Sequence, residues 1–332
     1  MTTPRLTLST ICLLTVPPLL WAGNAIVGRL VHELVPPMTL NFLRWTIAFV
    51  LLLPLAGSVL RPGSGLWAHW RRFALLGLLG VGMYNALQYL ALRSSTPINV
   101  TLVAAGMPVW MLLIGRLFFN ASTDGRQILG AMVSIAGVLI VLCRGDWHAL
   151  LSLRLVTGDM LMIVATICWS AYSWMLTRRA EPPGIRNDWS RFLLAQVTFG
   201  LFWSAVSTAA EWQFTRPHVI WSAMLAGALV FVGIGPALVA YRCWGAGVQR
   251  VGPNLAAIFN NLTPLFAAVL SAAFLHESPR PFHALAFMLM VGGIVLSARG
   301  QGRHPATNRP EVIKDLSKAG KQLLQASDKT DP

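Results

Sequence analysis

Long apolar stretches alternate with short polar breaks from about residue 10 to about residue 300. Each apolar stretch has roughly the 20 residues that an α-helix needs to cross about 30 Å of hydrocarbon. The pattern predicts helices near residues 10–32, 37–57, 73–92, 97–119, 126–143, 157–178, 189–209, 219–243, 253–275 and 282–298. We therefore predict an all-α integral membrane protein with ten transmembrane helices.

Composition agrees with this fold class. Of 332 residues, 55% are hydrophobic and only 11% are charged, and the mean hydropathy is +0.61. The formal charge of +14 is spread over the loops and forms no basic cluster alternating with aromatic residues, so binding of nucleic acid is not expected. The four cysteines are far apart, lack a CxxC or metal-ligand spacing and are interpreted as packing thiols: Cys12, Cys143, Cys168 and Cys243.

The distribution of positive charge favours one orientation. Arginine is more frequent in the loops on the side of the N-terminus than in those on the other side, and the number of predicted helices is even. We therefore expect a multi-pass protein of the cell inner membrane with both termini in the cytoplasm. Residues 301–332 contain every lysine and are interpreted as a cytosolic basic tail, either a short helix on anionic lipid or a disordered segment.

The two halves of the chain share a repeat. A shift of 156 residues without gaps aligns two prolines and a glycine: Pro97 with Pro253, Pro108 with Pro264 and Gly137 with Gly293. Residues 1–148 are expected to form a first five-helix repeat and residues 149–300 a second. Because five is odd, the second repeat would enter the membrane with opposite polarity, the inverted topology of many transporters.

Several segments together resemble one transporter family. They are "WAGNAIVGRL", "NFLRW", the proline-containing "AAGMPVWMLLIGRLFF" and "NNLTPLFAAVLSAAFLHE", and "GGIVLSARG". They resemble the ten-helix EamA-type branch of the drug/metabolite transporter superfamily and, in overall appearance, its YddG-type exporters of aromatic amino acids. The resemblance implies a membrane transporter. The first repeat departs from the second, because Asn120-Ala121 stands where the second has His276-Glu277.

Arg44 stands about two turns inside the second predicted helix, where a cation is costly unless it faces a cavity or a partner. It is expected either to contact substrate or to act structurally, by reaching the nearer interface or by binding helix-end carbonyl groups. Arg242, close to the predicted end of the eighth helix, is interpreted as an interfacial anchor. None of the twelve carboxylates falls at mid-membrane depth on the predicted helices, so the sequence indicates no dedicated intramembrane proton carrier.

Aromatic and amide side chains recur at one-turn spacing on several helices, as in Tyr84 with Gln88 and Trp169 with Tyr172. Each pair is also compatible with ordinary hydrogen bonding between membrane helices. Their convergence on several helices favours a central cavity rich in amide and aromatic groups. The candidate substrate-binding residues are Trp21, Asn24, Arg44, Tyr84, Asn85, Gln88, Trp169, Tyr172, Tyr241, Asn260 and Asn261.

Asn260 and Asn261 stand in the apolar segment "AIFNNLTPLF" at residues 257–266. Neighbouring residues lie about 100° apart on a helix, so the two amides should face different neighbours, and unpartnered amides in hydrocarbon are costly. At least one is expected to face a cavity or a polar helix. Pro264 should deprive the carbonyl of Asn260 of its helical donor and leave an unpaired acceptor there.

The leading prediction is an exporter of small organic solutes, in particular neutral or aromatic amino acids, that works by alternating access. Alternatives are an exporter of cationic drugs or other metabolites, and an intramembrane enzyme. The enzyme is disfavoured because the sequence lacks HExxH, GxSxG, an aspartate pair and a cysteine-histidine set. No cofactor or metal is predicted. The expected partners are a small-molecule substrate and the lipid bilayer, with no nucleic acid and no obligatory protein partner.

Overall fold

The computed structural model describes residues 6–95, 97–143, 156–178, 180–215, 218–275 and 281–300. These ranges contain helices and turns and no β-strand. The basic tail and Glu277 lie outside them. The main helices are α1 (Leu8–Leu30), α2 (Pro37–Ala56), α3 (Trp67–Ser94), α4a (Pro97–Ala105), α4b (Met107–Phe119), α5 (Gly125–Leu142), α6 (Thr157–Met175), α7 (Trp189–Thr215), α8 (Ala223–Val251), α9a (Pro253–Asn260), α9b (Thr263–Leu275) and α10 (Pro281–Gly300).

Nine helices in the described ranges are long and apolar enough to cross a membrane. The helix α6 is not among them although it has 19 residues. Its first turn contains Asp159, and its later turns contain serine and tryptophan, all of which lower its mean hydropathy. The chain is therefore an all-helical membrane protein with nine candidate spans and one further long helix.

Contacts between helix ends define a face of the bundle that we call the N-terminal face. At the start of α1, Ser9 accepts a hydrogen bond from Arg250 at the end of α8 (Oγ to Nη1, 2.9 Å). At the same face, Arg72 at the start of α3 donates to the carbonyl oxygens of Met175, the last residue of α6, and of Arg178 just beyond it (2.9 and 2.8 Å). The starts of α1 and α3 therefore meet the ends of α6 and α8.

The opposite face joins the other ends of these helices. Consecutive helices from α1 to α4 and from α6 to α8 consequently run in alternate directions, and α1 runs opposite to α6. Three hydrogen-bonded pairs define this face: Leu34 with Ile220 (O to N, 2.8 Å), Thr39 with Glu211 (N to Oε2, 3.0 Å) and Asn99 with Asp159 (Nδ2 to Oδ2, 3.2 Å).

Three of the predicted helix boundaries were wrong, and the first of them is the start of α3, which lies at Trp67 instead of residue 73. The helix α7 continues to Thr215 instead of residue 209, and α8 continues to Val251 instead of residue 243. Glu211 does not end α7, because its carboxylate is buried and accepts hydrogen bonds from the start of α2. The helix α8 passes the charged residue Arg242 and ends only where Gly252 adopts a positive φ of 80° before Pro253.

Irregular turns interrupt two pairs of helices at matching positions. A π-helical segment occupies Gly77–Met83 in α3, and another occupies Gly233–Val239 in α8, 156 residues later. Likewise, Gly106 separates α4a from α4b, and residues 261–262 separate α9a from α9b. Interruptions of this kind often mark functional positions in helices.

Candidate substrate cavity

A cavity of about 180 Å³ lies between α1, α2, α3, α4, α6, α8 and α9. Its lining combines indole and phenol rings, carboxamides, one guanidinium group and small alanine side chains. It brings together every candidate residue from the sequence except Tyr172: Trp21, Asn24, Arg44, Tyr84, Asn85, Gln88, Trp169, Tyr241, Asn260 and Asn261.

Of the candidate residues from the sequence, Tyr172 alone does not line this cavity. Its ring lies one turn nearer the N-terminal face than Trp169, because α6 runs toward that face. There it packs so closely on Gly80 that a Cβ atom on the glycine would lie 2.7 Å from the ring. Tyr172 instead lines a second cavity on the side of the N-terminal face, and Tyr241 lines both cavities.

Arg44 is buried, with 3% of its surface exposed. Its Nη1 donates to Asn24 Oδ1 across to α1 (3.4 Å), and its guanidinium carbon lies 5.3 Å from the centre of the Trp45 ring. Among the described residues, no carboxylate lies within 4 Å of it and its Nε has no hydrogen-bond partner. The side chain therefore does not reach the interface, and it offers an uncompensated positive charge to the cavity.

Aromatic rings form the floor of the cavity on the side of the N-terminal face. Trp169 is central to this group, which we call the aromatic cluster. The cluster closes the cavity with edge-to-face and tilted contacts that favour a rigid layer. The distances between ring centres are 5.3 Å from Trp169 to Trp21, 5.1 Å to Tyr84, 5.1 Å to Tyr172, 5.5 Å to Tyr241 and 5.6 Å to Trp244.

The two adjacent asparagines have different environments. Asn261 is 2% exposed and donates to Ser134 on α5 (Nδ2 to Oγ, 3.1 Å), whereas Asn260 is half-buried and contacts the sulfur of Met107 (3.7 Å). The expected unpaired acceptor at Asn260 is absent, because the Thr263 hydroxyl donates to that carbonyl oxygen (2.7 Å). The helix α9 breaks at this point, and a side chain replaces the donor that Pro264 lacks.

Some lining residues and members of the aromatic cluster were not identified from the sequence. Thr101 and Thr263 line the cavity, as do small side chains such as Ala25. Trp244 belongs to the aromatic cluster and lies one turn after Tyr241 on α8. That spacing is the signal that could have found Trp244, whereas threonine and alanine are too common in membrane helices to be informative.

Carboxylates near the bundle ends have structural partners. Asp159 accepts hydrogen bonds from the Ser95 hydroxyl, from Asn99 and from the backbone N–H of Val156 (2.9 Å). No residue in the lining of the central cavity is acidic. In the part of the chain that the structure describes, no group of His, Cys, Asp and Glu side chains is arranged to hold a metal ion.

Comparison with known families identifies the chain. The profile of the EamA-like transporter family matches residues 8–143 and again residues 156–299. The chain belongs to the EamA-like transporter family. In this EamA-like protein the two matched segments comprise α1–α5 and α6–α10, so each contributes helices to the central cavity.

Named relatives of this EamA-like transporter include amino acid exporters. It is 26% identical to the aromatic amino acid exporter YddG of Ancylobacter novellus over 84% of this chain and 93% of that protein. It is 25% identical to the "Probable terminal-alkyne amino-acid exporter" of Streptantibioticus cattleyicolor, covering 82% and 87% of the two chains. A protein of known crystal structure superposes with a TM-score of 0.69 and 22% identity, over 89% of this chain and 99% of that one, and supports the fold alone.

Proposed function

We propose that the protein exports neutral and aromatic amino acids from the cell, binding them in the central cavity and releasing them by alternating access. The observation that carries this proposal is the uncompensated cation at Arg44 beside an aromatic floor in one cavity. The relatives that are named amino acid exporters support the same substrate class.

The cavity is chemically complementary to the parts of an amino acid. Arg44 presents a planar fork that matches a carboxylate, and the faces of Trp21 and Trp169 suit an ammonium group or an aromatic side chain. The volume of about 180 Å³ is below the roughly 300–1,000 Å³ of drug-sized sites, which favours a small solute. A buried cation without an acidic partner also disfavours a cationic drug, because like charges repel.

The arrangement of the helices supports two inverted five-helix repeats, residues 1–148 and 149–300. The helix α1 runs opposite to α6, and the two π-helical segments stand 156 residues apart. The contact of Gly130 with Gly293 also has a counterpart, since Gly137 meets Ala286, and the 156-residue shift exchanges the two pairs. Repeats of this kind can exchange inward-open and outward-open conformations around one central site.

The purified protein in proteoliposomes tests the proposal. We expect flux of phenylalanine and other neutral amino acids above that of protein-free liposomes, with and without a pH gradient, and no comparable flux of cationic drugs. Comparing the two gradient conditions also identifies any coupling to protons. Transport of the cationic drugs without amino acids would reject this substrate class. Hydrolase or transferase activity without any solute flux would reject a transporter.

We propose that both termini are cytoplasmic, which places the N-terminal face inside the cell. The excess of arginine in loops on that side supports this orientation. A reporter that is active only in the cytoplasm should therefore be active when it is fused after residue 332. A reporter active outside the cell would reverse the orientation.

A further inference from the structure

The second cavity opens beside the N-terminal face, between the ends of α6 and α8 and the start of α7. It has a volume of about 260 Å³. Its lining includes two arginines, Arg186 and Arg242, and no acidic residue, together with polar side chains such as Asn187 and Gln249. Because Arg186 is paired with Glu181 outside the lining, Arg242 is the cation through which this cavity can attract a small anion.

The nearby carboxylates already have partners. Glu181 lies 2.6 Å from Arg72 and 3.9 Å from Arg186 (oxygen to nitrogen), so it compensates those two arginines. Asp188 accepts hydrogen bonds from Ser190 and pairs with Arg191 (3.5 Å), and the bond from the Ser190 hydroxyl contributes most to holding the pKa of Asp188 below its ordinary value. Neither carboxylate lies within 4 Å of Arg242.

Arg242 is held at the opening of this cavity. Its guanidinium carbon lies 4.5 Å from the centre of the Trp189 ring, at the first residue of α7. Stacking on one side of the fork orients it while leaving its N–H groups free to bind an anion. In the described part of the chain, Arg242 forms no ion pair with a carboxylate.

The second cavity gives Arg242 an environment beyond that of the interfacial anchor expected from the sequence. Although α8 continues for nine more residues to Val251, Arg242 is exposed and stacks on the first residue of α7, so it lies level with the start of that helix. At this level its side chain lines the second cavity, where it is accessible to a solute.

Aromatic side chains lie between this cavity and the central one. Tyr241 lines both cavities, and Tyr172 lines the second while packing against Trp169, which lines the first. A solute held at Arg242 would therefore need to pass these rings to reach Arg44. Arg44 lines the central cavity and Arg242 lines the second one, so the two arginines lie on opposite sides of this ring layer.

We propose that the second cavity is a cytoplasmic entry site that binds the carboxylate of the substrate through Arg242 before the substrate reaches the central cavity. This inference rests on the proposed function and orientation. It adds a second binding site, and it assigns to Arg242 a contribution to selectivity for carboxylate-bearing solutes.

Thiol labelling tests the charge of the cavity without requiring transport. The native cysteines are replaced, and a thiol is introduced by Ala246→Cys, at a cavity position one turn from Arg242. We expect an anionic thiol reagent to react at least fivefold faster than a cationic reagent of equal size, and Arg242→Gln to remove that preference. A thiol introduced by Ser9→Cys, beside Arg250 and outside the cavity, is the control that Arg242→Gln should not affect.

Substrate protection and flux distinguish the entry site from the transport proposal. Phenylalanine should slow labelling of the Ala246→Cys variant, whereas phenylalaninamide, which lacks the carboxylate, should not.

In proteoliposomes, Arg242→Gln should lower the kcat/KM of phenylalanine several-fold and leave that of phenylalaninamide unchanged, while Arg250→Gln should affect neither. Equal labelling by both reagents, or equal loss for both solutes, would overturn the entry site. Absence of flux in the unmodified protein would instead reject the proposed function, and the labelling result would still stand.

Discussion

The hydroxyl of Tyr241 donates a hydrogen bond to the carbonyl oxygen of Gly80, and this bond connects α8 to the π-helical segment of α3. Tyr241 itself follows the π-helical segment of α8 by two residues. Because Tyr241 also lines both cavities, the bond fixes one ring of the layer between them. We expect the opening of a path through this layer to move Tyr241 relative to Gly80.

Tyr241→Phe should therefore weaken the closed arrangement while preserving the ring contacts. We expect a loss of about 1 kcal/mol of stability, the typical contribution of one hydrogen bond. The midpoint of thermal unfolding in detergent measures this loss. Tyr89→Phe on α3 is the matched control, and an equal change in both variants would remove any specific role of the Tyr241 hydroxyl.

Close contact between α5 and α10 depends on glycine. A Cβ atom added to Gly293 would lie 2.5 Å from the carbonyl oxygen of Gly130, whereas one added to the adjacent Gly292 would have no atom within 4 Å. We expect Gly293→Ala to destabilise the protein by about 1–3 kcal/mol through overpacking, and Gly292→Ala to be neutral. The unfolding midpoints of the two variants provide the comparison. Equal unfolding midpoints for the two variants would mean that α5 and α10 can move apart to admit the methyl group without losing stability.

Glu211 caps a helix to which it does not belong. Its carboxylate on α7 accepts from the backbone N–H groups of Met38 and Thr39 (3.2 and 3.0 Å) at the start of α2, where Pro36 provides no side-chain cap. Glu211→Ala should cost about 1.5–3 kcal/mol, because these bonds are to a charged group, and Glu211→Gln should cost less. The exposed Glu33 offers a control through Glu33→Ala. Unfolding in denaturant measures each loss, and a Glu211→Ala variant as stable as this control would contradict the capping role.

The central part of each helix could be predicted from the sequence, because a helix that crosses the membrane needs an apolar run as long as the hydrocarbon core is thick. The ends were harder, since they depend on partners distant in the chain. In the sequence alone, Glu211 and Arg242 are charges that suggest the end of a helix. The structure gives each a partner within the bundle, the start of α2 for Glu211 and the second cavity for Arg242.

The cavity residues were predictable where one-turn spacing put unusual residue types on a single face, as for Trp21 and Asn24. Tyr172 has the same spacing from Trp169 and yet faces another cavity, because the sequence does not show where a layer of rings divides the space. The pairing of Thr263 with Asn260 was missed for a related reason. The sequence shows that Pro264 removes a backbone donor. It does not show that the Thr263 hydroxyl is oriented to donate to the same carbonyl oxygen.

The environments of Asn260 and Asn261 predict different consequences for the two alanine variants. The Asn260 side chain lines the cavity and makes only long contacts, to Met107 Sδ (3.7 Å) and Thr263 Oγ1 (3.5 Å), so Asn260→Ala should lower kcat/KM for transport about fivefold with little loss of folded protein. Asn261→Ala should instead reduce stability by about 1–3 kcal/mol, because it leaves the Ser134 hydroxyl without this partner.

Flux in proteoliposomes and unfolding in detergent separate these two effects. We expect the transport defect in the Asn260 variant and the stability defect in the Asn261 variant. Unaltered transport in Asn260→Ala would remove this amide from the substrate site. Equal defects of both kinds in the two variants would show that the amides act only through the break in α9.

Arg44 gives the sharpest prediction about the central site. Arg44→Lys keeps the positive charge but replaces the planar fork with a single ammonium group, so the protein should fold while kcat/KM for phenylalanine falls about tenfold. Arg44→Gln removes the charge and should cause a larger loss. Phenylalaninamide lacks the carboxylate, and its transport should change much less in either variant. Arg116→Gln, an exposed arginine on α4b, is the control. If phenylalanine and its amide lose transport to the same extent, the buried charge supports the fold through Asn24 and Trp45 and does not select the carboxylate.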